Sequence, residues 1–241
     1  MAKIDRIYSP NFSIPKRPKK NIKFLILHYT GMKNELDALK KLCDEKHKVS
    51  AHYFIKKNGK IINLVPDLYE AWHAGKSSWK KIRLLNKHSI GIEIHNTGHK
   101  FKYEKFSSNQ INSLKILLKK LIREYKINPK NILGHSDIAP ERKKDPGEKF
   151  PWKNLAKVNL VKWHKLNEKN NKNLRLKKLN EKEENRLLNN LCLIGYNKIK
   201  NLNLTSNKKF LITAFQRRFR QSLINGKSDK ECLEISENLL K

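Results

Sequence analysis

Residues 22–28 of this 241-residue chain, IKFLILH, form a run of apolar residues that limits the possible folds more than any other segment. Its nearly continuous hydrophobicity predicts a β-strand that is buried on both faces and ends at His28. Residues 89–96, SIGIEIHN, alternate instead. Isoleucines fall on one face of this second predicted strand, and Glu93 falls on the other face.

Further segments carry patterns of regular structure. They predict helices over 35–47, 107–126 and 153–166, and a short strand over 131–135. Asn58-Gly59 lies between two β-rich runs within residues 51–65, which predicts a hairpin. Strands that alternate with helices predict an α/β domain, and the hairpin excludes a purely parallel sheet. We therefore expect a mixed central sheet flanked by helices.

The C-terminal third has a different pattern. Residues 167–184 are rich in Asn, Lys and Glu and predict a linker. Three short amphipathic segments then predict a small three-helix bundle over 185–241, with its last helix beginning at a capping box of Ser228 and Glu231. The expected organisation is an N-terminal extension (1–20), an α/β domain (21–166), the linker and the bundle.

The chain is strongly basic, with 54 Lys and Arg against 22 Asp and Glu and a net charge of +32. Such a field attracts polyanions in general. Most of the basic residues are lysine, which reads base pairs poorly, so we expect no specific nucleic-acid partner. The oligomeric state is not predicted by any of these patterns.

Neither a membrane span nor a secretory signal is visible in the sequence, because no apolar run is long enough. The chain as written is therefore expected in the cytoplasm, with the periplasm or cell wall as the alternative location. Three scattered cysteines predict no disulfide framework.

Two histidines and one aspartate stand where metal ligands are often found. His28 and His135 end predicted strands, and Asp145 follows ten residues after His135 in a loop rich in proline. Two imidazoles, one carboxylate and one water would form an open tetrahedral zinc site. The alternative is that each histidine is only hydrogen-bonded in or near the core.

Glu93 and Lys143 are the other candidates for chemistry. A carboxylate in the middle of an apolar strand either pairs with a basic side chain or acts as a general base whose pKa is tuned by burial. Lys143 precedes Asp145 by two residues. It is either a solvated loop residue or a cation that neutralises a developing oxyanion.

These residues lie in segments that resemble the zinc-dependent N-acetylmuramoyl-L-alanine amidases of the type 2 amidase family, which are related to the peptidoglycan-recognition proteins. The matching segments are FLILHYTG (24–31), VSAHYFIKKNGKIINLV (49–65), AWHAG (71–75), HSIGIEIHNTG (88–98) and GHSDIAPERKKDPGEKFPW (134–152). In the C-terminal part, ITAFQRRFRQ (212–221) resembles a small helical peptidoglycan-binding domain.

The resemblance implies a role for each candidate. It implies Zn²⁺ as the cofactor, with His28, His135 and Asp145 as its ligands. It implies Glu93 as the catalytic acid and base and Lys143 as an assisting cation. It also implies that the substrate-binding cleft is lined by His52, Tyr53, Trp72 and His73.

The implied reaction is hydrolysis of the amide between the lactyl group of N-acetylmuramic acid and the L-alanine of the stem peptide. The implied partner is peptidoglycan or a muropeptide, in wall turnover or muropeptide recycling. The alternative is a recognition module that binds wall fragments without cutting them. Relatives of that kind lack a zinc ligand, whereas this sequence has a candidate at all three positions.

Overall fold

The computed structural model describes residues 4–167, 172–198 and 204–241, so parts of the predicted extension, linker and bundle (1–3, 168–171 and 199–203) lie outside the described residues. The strands are β1 (Ile4–Arg6), β2 (Phe12–Ser13), β3 (Phe24–Tyr29), β4 (Tyr53–Ile55), β5 (Ile61–Asn63), β6 (Glu70–Ala71), β7 (Ser78–Trp79), β8 (Ile82–Arg83), β9 (Ser89–Ile94) and β10 (Ile132–Gly134). The α-helices are α1 (Glu35–Cys43), α2 (Ser108–Tyr125), α3 (His135–Ile138), α4 (Trp152–Ala156), α5 (Glu181–Ile194), α6 (Leu204–Phe219) and α7 (Lys230–Leu240). Short 3₁₀ helices occupy Lys19–Asn21, Glu45–His47, Leu85–His88, Pro129–Asn131 and Lys172–Leu176.

Six strands form the central sheet in the order β1-β5-β4-β9-β3-β10. β4 and β5 pair antiparallel across the predicted hairpin, and the other neighbours pair parallel. The prediction of a mixed sheet flanked by helices is therefore confirmed. The fully apolar run became β3, which lies between β9 and β10 and is buried on both faces.

One face of the sheet packs against α2. A capping box of Ser107 and Gln110 is present at the start of this helix. Its leucine stripe meets alternate residues of β3 and β9 in a single buried cluster, including Leu25, Leu27, Ile90, Ile92, Ile94, Leu114, Leu117, Leu118 and Leu121. The period-2 pattern of the strands and the helical period of α2 thus present matching apolar surfaces.

The opposite face packs against the C-terminal helices. Phe24, Ile26 and Leu133 from the sheet share a buried cluster with residues of α5, α6 and α7, among them Leu187, Leu191, Leu211, Phe215, Leu233 and Leu239. Arg218 of α6 also reaches into the α/β part of the chain, where it forms an ion pair with Asp137 and donates to the Ile132 carbonyl at 2.8 Å. The C-terminal helices therefore share a core with the sheet.

The N-terminal residues contribute strands of their own. β1 pairs with β5 at the edge of the central sheet, and β2 pairs with β6 in a separate two-stranded sheet. In the part of the chain that the structure describes, no helix is long and apolar enough to cross a bilayer.

Three local predictions were wrong. The helix expected over 35–47 ends at Cys43, because Asp44 is extended and a separate 3₁₀ helix follows. The helix expected over 153–166 ends at Ala156, because Asn159 adopts a left-handed conformation and the Leu160 amide bonds back to the Leu155 carbonyl. The capping box expected at Ser228 and Glu231 is absent, because Asp229 caps α7 by accepting from the Cys232 amide.

Candidate metal centre and active site

The sheet topology brings the ends of three parallel strands together. β3 pairs with β10 on one side and with β9 on the other. His28 lies near the end of β3, and His135 follows directly after β10 as the first residue of α3. Glu93 is the register partner of His28 on β9. Carboxyl ends of adjacent parallel strands share one edge of a sheet, which explains why these distant residues meet.

His28, His135 and Asp145 form a compact group. The Nδ1 atoms of the two histidines lie 2.9 Å apart, and each lies 3.0 Å from Oδ2 of Asp145. All three side chains are buried, with residue exposures of 1, 3 and 7 %. Among the described residues, this is the group of His, Cys, Asp and Glu side chains compact enough to hold a metal ion.

The chemistry of this donor set fits zinc. Two imidazole nitrogens and one carboxylate oxygen are a common set of protein ligands at catalytic zinc sites, with ligand atoms roughly 3.3 Å apart in tetrahedral geometry. Burial lowers the pKa of His28 to about 4, and the nearby His135 ring adds to this effect, so the His28 ring is neutral. Burial disfavours the Asp145 carboxylate, but the two histidines outweigh burial and hold its pKa well below the usual range.

A backbone contact fixes the loop that carries Asp145. The Ser136 amide donates to the Asp145 carbonyl at 2.9 Å, which ties this loop to the residue after His135. Gly134 permits the close approach, because a Cβ there would lie 2.8 Å from Cδ of Pro146. Asp137 closes the turn by accepting from the Gly134 amide at 2.7 Å. The segments that carry His135 and Asp145 are therefore held together by these hydrogen bonds and by close packing.

Glu93 lies beside this group and is only partly exposed. Its Oε2 atom is buried and makes no hydrogen bond to the described residues. Burial raises the pKa of Glu93 to about 8, with a further contribution from the Asp145 charge. Lys143 is close enough that its positive charge acts in the opposite direction on the pKa of Glu93 and also lowers the pKa of His28.

The four residues predicted to line a cleft lie in different surroundings. His52 is fully buried and accepts from the Gly91 amide at 3.0 Å. Tyr53 belongs to the cluster packed against α2, on the face of the sheet opposite Glu93. Trp72 is half-buried and donates to Oγ of Ser13 at 2.9 Å. Nδ1 of His73 lies 3.0 Å from Nε2 of His28, behind the candidate ligand group.

Sequence reasoning did not identify the groups that contact the outer nitrogens of the candidate ligands. They are the His73 ring for His28 and the Ala74 carbonyl for His135, which lies 3.2 Å from Nε2. Ser89, which contacts His73, was also missed. One signal was available: Gly91 interrupts a strand rich in isoleucine, and a glycine at such a position often marks a close approach by another group.

The fold and this site define a mixed α/β domain that gathers two histidines, an aspartate and a partly buried glutamate at one edge of its sheet. The family model described as N-acetylmuramoyl-L-alanine amidase matches residues 18–148. The chain therefore belongs to the N-acetylmuramoyl-L-alanine amidase family.

Individual relatives extend the similarity beyond the matched region. The N-acetylmuramoyl-L-alanine amidase AmiD of Escherichia coli K12 is 38% identical over 232 residues, which cover 91% of this chain and 82% of the relative. A solved structure of the E. coli amidase AmiD with anhydro-N-acetylmuramic acid-L-Ala-D-γ-Glu-L-Lys superposes with a TM-score of 0.80 at 34% identity, covering 95% of this chain and 91% of that one. AmpDh3 of Pseudomonas aeruginosa, in complex with an anhydromuramic pentapeptide, gives a TM-score of 0.79 at 31% identity, covering 95% of each chain.

Proposed function

We propose that this protein is a zinc-dependent N-acetylmuramoyl-L-alanine amidase that cleaves the amide between the lactyl group of N-acetylmuramic acid and L-alanine. The observation that carries the proposal is the convergence of three ligand atoms within 3.0 Å beside the buried, unpartnered Oε2 of Glu93. The similarity to E. coli AmiD, which covers 91% of this chain and 82% of that protein, supports the same reaction.

His28, His135 and Asp145 would hold the metal ion. Bound there, zinc would supply Lewis-acid activation of the attacking water and of the scissile carbonyl. Metal binding requires a neutral imidazole and an ionised carboxylate, and burial favours the neutral form of the His28 ring.

Glu93 would act as the proton carrier. In the metal-free protein burial raises the pKa of Glu93 to about 8, and the charge of a bound zinc ion would lower it toward neutral pH, where the carboxylate can accept a proton from the attacking water and later donate it to the departing alanine nitrogen. Proton transfer of this kind works best when the pKa lies near the working pH. The unpartnered Oε2 leaves one oxygen available for this exchange.

Lys143 would stabilise negative charge on the carbonyl oxygen as water attacks. Its charge reaches both His28 and Glu93, since it lowers the pKa of each. A cation placed before the charge develops stabilises the transition state more than the ground state. The Lys143 amide bonds to the Ala139 carbonyl at 3.0 Å, which anchors its backbone.

Product analysis by mass spectrometry tests the proposal. The zinc-loaded protein and its Glu93→Gln variant are incubated with an anhydro-muropeptide and, separately, with intact peptidoglycan. We expect the wild type to release stem peptide with a free alanine amine, and we expect Glu93→Gln to bind zinc but release almost none. Binding of muropeptide without release of the amine would contradict the amidase proposal and would indicate a recognition module.

We also propose that residues 185–241 bind the cell wall, because this part of the sequence resembles a peptidoglycan-binding domain. Co-sedimentation of the full chain with purified sacculi tests it, with a matched measurement at high salt because the net charge of +32 attracts anionic polymers in general. Wall binding that persists at high salt is the expected result.

Fractionation of cells tests the location of the protein. It distinguishes the cytoplasm, which is the location expected from the sequence, from the periplasm or cell wall.

A further inference from the structure

The His73 ring lies between the candidate ligand His28 and the start of β9. Its Nδ1 atom is 3.0 Å from Nε2 of His28, and its Nε2 atom is 3.2 Å from Oγ of Ser89. The Ser89 hydroxyl in turn lies 2.6 Å from the Leu85 carbonyl oxygen. Ser89 is fully buried and His73 is 9 % exposed, so these contacts are shielded from solvent.

The Leu85 carbonyl lies at the end of this series of hydrogen bonds, and it fixes which group donates in each of them. The Leu85 carbonyl can only accept, so the Ser89 hydroxyl donates its one proton there. Oγ of Ser89 must then accept from Nε2–H of His73. A neutral imidazole carries one N–H, so Nδ1 of His73 has a lone pair and accepts from Nε2–H of His28. The remaining nitrogen of His28, Nδ1, therefore presents its lone pair to Asp145 and His135.

The backbone around His73 is shaped to admit this ring. A Cβ at position 91 would lie 2.3 Å from Cγ of His73, so only glycine leaves room for the ring against β9. The backbone amides of His73 and Ala74 both donate to Oδ1 of Asn86, at 3.2 and 2.7 Å, which fixes the segment. The ring position is thus determined by contacts on several sides.

The next residue supports the other histidine ligand. The Ala74 carbonyl lies 3.2 Å from Nε2 of His135 and can only accept, so that nitrogen carries the proton. Nδ1 of His135 therefore also presents a lone pair toward the centre of the group. The dipeptide His73-Ala74 contacts the outer nitrogens of both candidate histidine ligands.

We propose that His73 is a positioning residue, which together with Ser89 and the Leu85 carbonyl sets the tautomer and orientation of His28 for metal binding. This inference rests on the zinc site of the proposed function. It assigns to His73 a task at the metal in place of the substrate contact expected from the sequence. Groups that orient metal-bound histidines typically contribute about 10- to 100-fold in metal affinity.

Zinc affinity, measured by competition with a chelator and without substrate, tests the inference. His73→Phe keeps a ring of similar size but removes the acceptor, and we expect it to weaken zinc binding by about 10- to 100-fold. His73→Asn places an amide oxygen near the position of Nδ1, and we expect affinity within a few-fold of wild type. The control is His47→Phe, which removes an exposed histidine and should leave zinc affinity unchanged.

Two outcomes would overturn the inference. Equal zinc affinity of wild type and His73→Phe would do so, above all if the Michaelis constant for muropeptide rose, as a substrate contact would require. Should His73→Phe not fold, nitrogen-15 NMR of the histidine rings in the wild-type protein gives a second test, and a proton on Nδ1 of His73 would contradict the inference. Failure of the wild-type protein itself to bind zinc would instead contradict the proposed function.

Discussion

His28 and Glu93 are register partners on the adjacent parallel strands β3 and β9. Side chains of register partners project from the same face of a sheet, so the pairing sets a candidate metal ligand beside a candidate proton carrier. A slip of one residue would turn Glu93 to the α2 face and place Ile92 or Ile94 beside His28. The isoleucines buried against α2 stabilise the correct register, so the hydrophobic core also specifies the site.

The first prediction concerns Lys143. Lys143→Met removes the ammonium group but keeps much of the side-chain length, and we expect kcat to fall by about 10²- to 10³-fold because one charge-stabilising group is lost. Zinc content should be unchanged. Lys144→Met is the matched control, since Lys144 is the exposed neighbour in the same loop. Equal kcat values for the two variants would return Lys143 to the role of a solvated loop residue.

The second prediction concerns pH and the stability of the metal-free protein. The pKa of Glu93 is raised to about 8 in the folded state, so its protonated form favours folding. The stability it contributes is present below the ordinary Glu pKa near 4.5 and is lost as pH rises through about 8. Glu93→Gln carries no ionisable group at this position, so its stability does not fall through ionisation of this side chain.

The stability of Glu93→Gln relative to wild type should therefore increase between pH 5 and pH 9. The expected increase is on the order of 1–3 kcal/mol, since one unit of pKa corresponds to about 1.4 kcal/mol and Glu93 is partly exposed. Urea unfolding with a chelator present measures it. A difference between the two proteins that is constant across this pH range would show that Glu93 is not protonated by burial.

The third prediction concerns the ion pair between Arg218 and Asp137, whose side chains are only 3 and 1 % exposed. Arg218→Met leaves the Asp137 carboxylate buried without its cation, which should lower the free energy of unfolding by about 3–5 kcal/mol. The control is Arg186→Met, because Arg186 forms an exposed pair with Glu237. That control should lose no more than about 1 kcal/mol. Similar unfolding midpoints for both variants would contradict a stabilising role for the buried pair.

Much of the fold could be predicted from the sequence because its signals are local. The buried strand, the hairpin at Asn58-Gly59 and the capped helix α2 each depend on residues within one element, and the structure contains all three. The end of α4 was missed because it depends on a left-handed residue, Asn159, that no glycine or proline marks.

The packing of the C-terminal helices could not be predicted because it depends on contacts between distant parts of the chain. Arg218 and Asp137 are 81 positions apart, and neither residue alone indicates a buried partner. The sequence suggested a separate bundle, since the amphipathic stripes of α5, α6 and α7 do not show which surface they cover. In the structure, part of that apolar surface covers the second face of the sheet.

The candidate site could likewise be predicted only in part, because some of its contacts join residues that are distant in the sequence. His28, His135, Asp145, Glu93 and Lys143 came from motifs, and the positions of the first three as one compact group follow from the order of β9, β3 and β10. The hydrogen bonds behind His28 depend on how a loop folds over Gly91, which periodicity does not describe.

X-ray absorption at the zinc edge, on protein loaded with one equivalent of zinc, reports the ligands of the proposed metal site. We expect one tightly bound ion with two imidazole ligands and additional oxygen ligands at about 2.0–2.2 Å. In His28→Ala we expect that one imidazole is lost or the ion is released. A spectrum with sulfur ligands, or one that His28→Ala leaves unchanged, would show that His28, His135 and Asp145 do not hold the zinc ion.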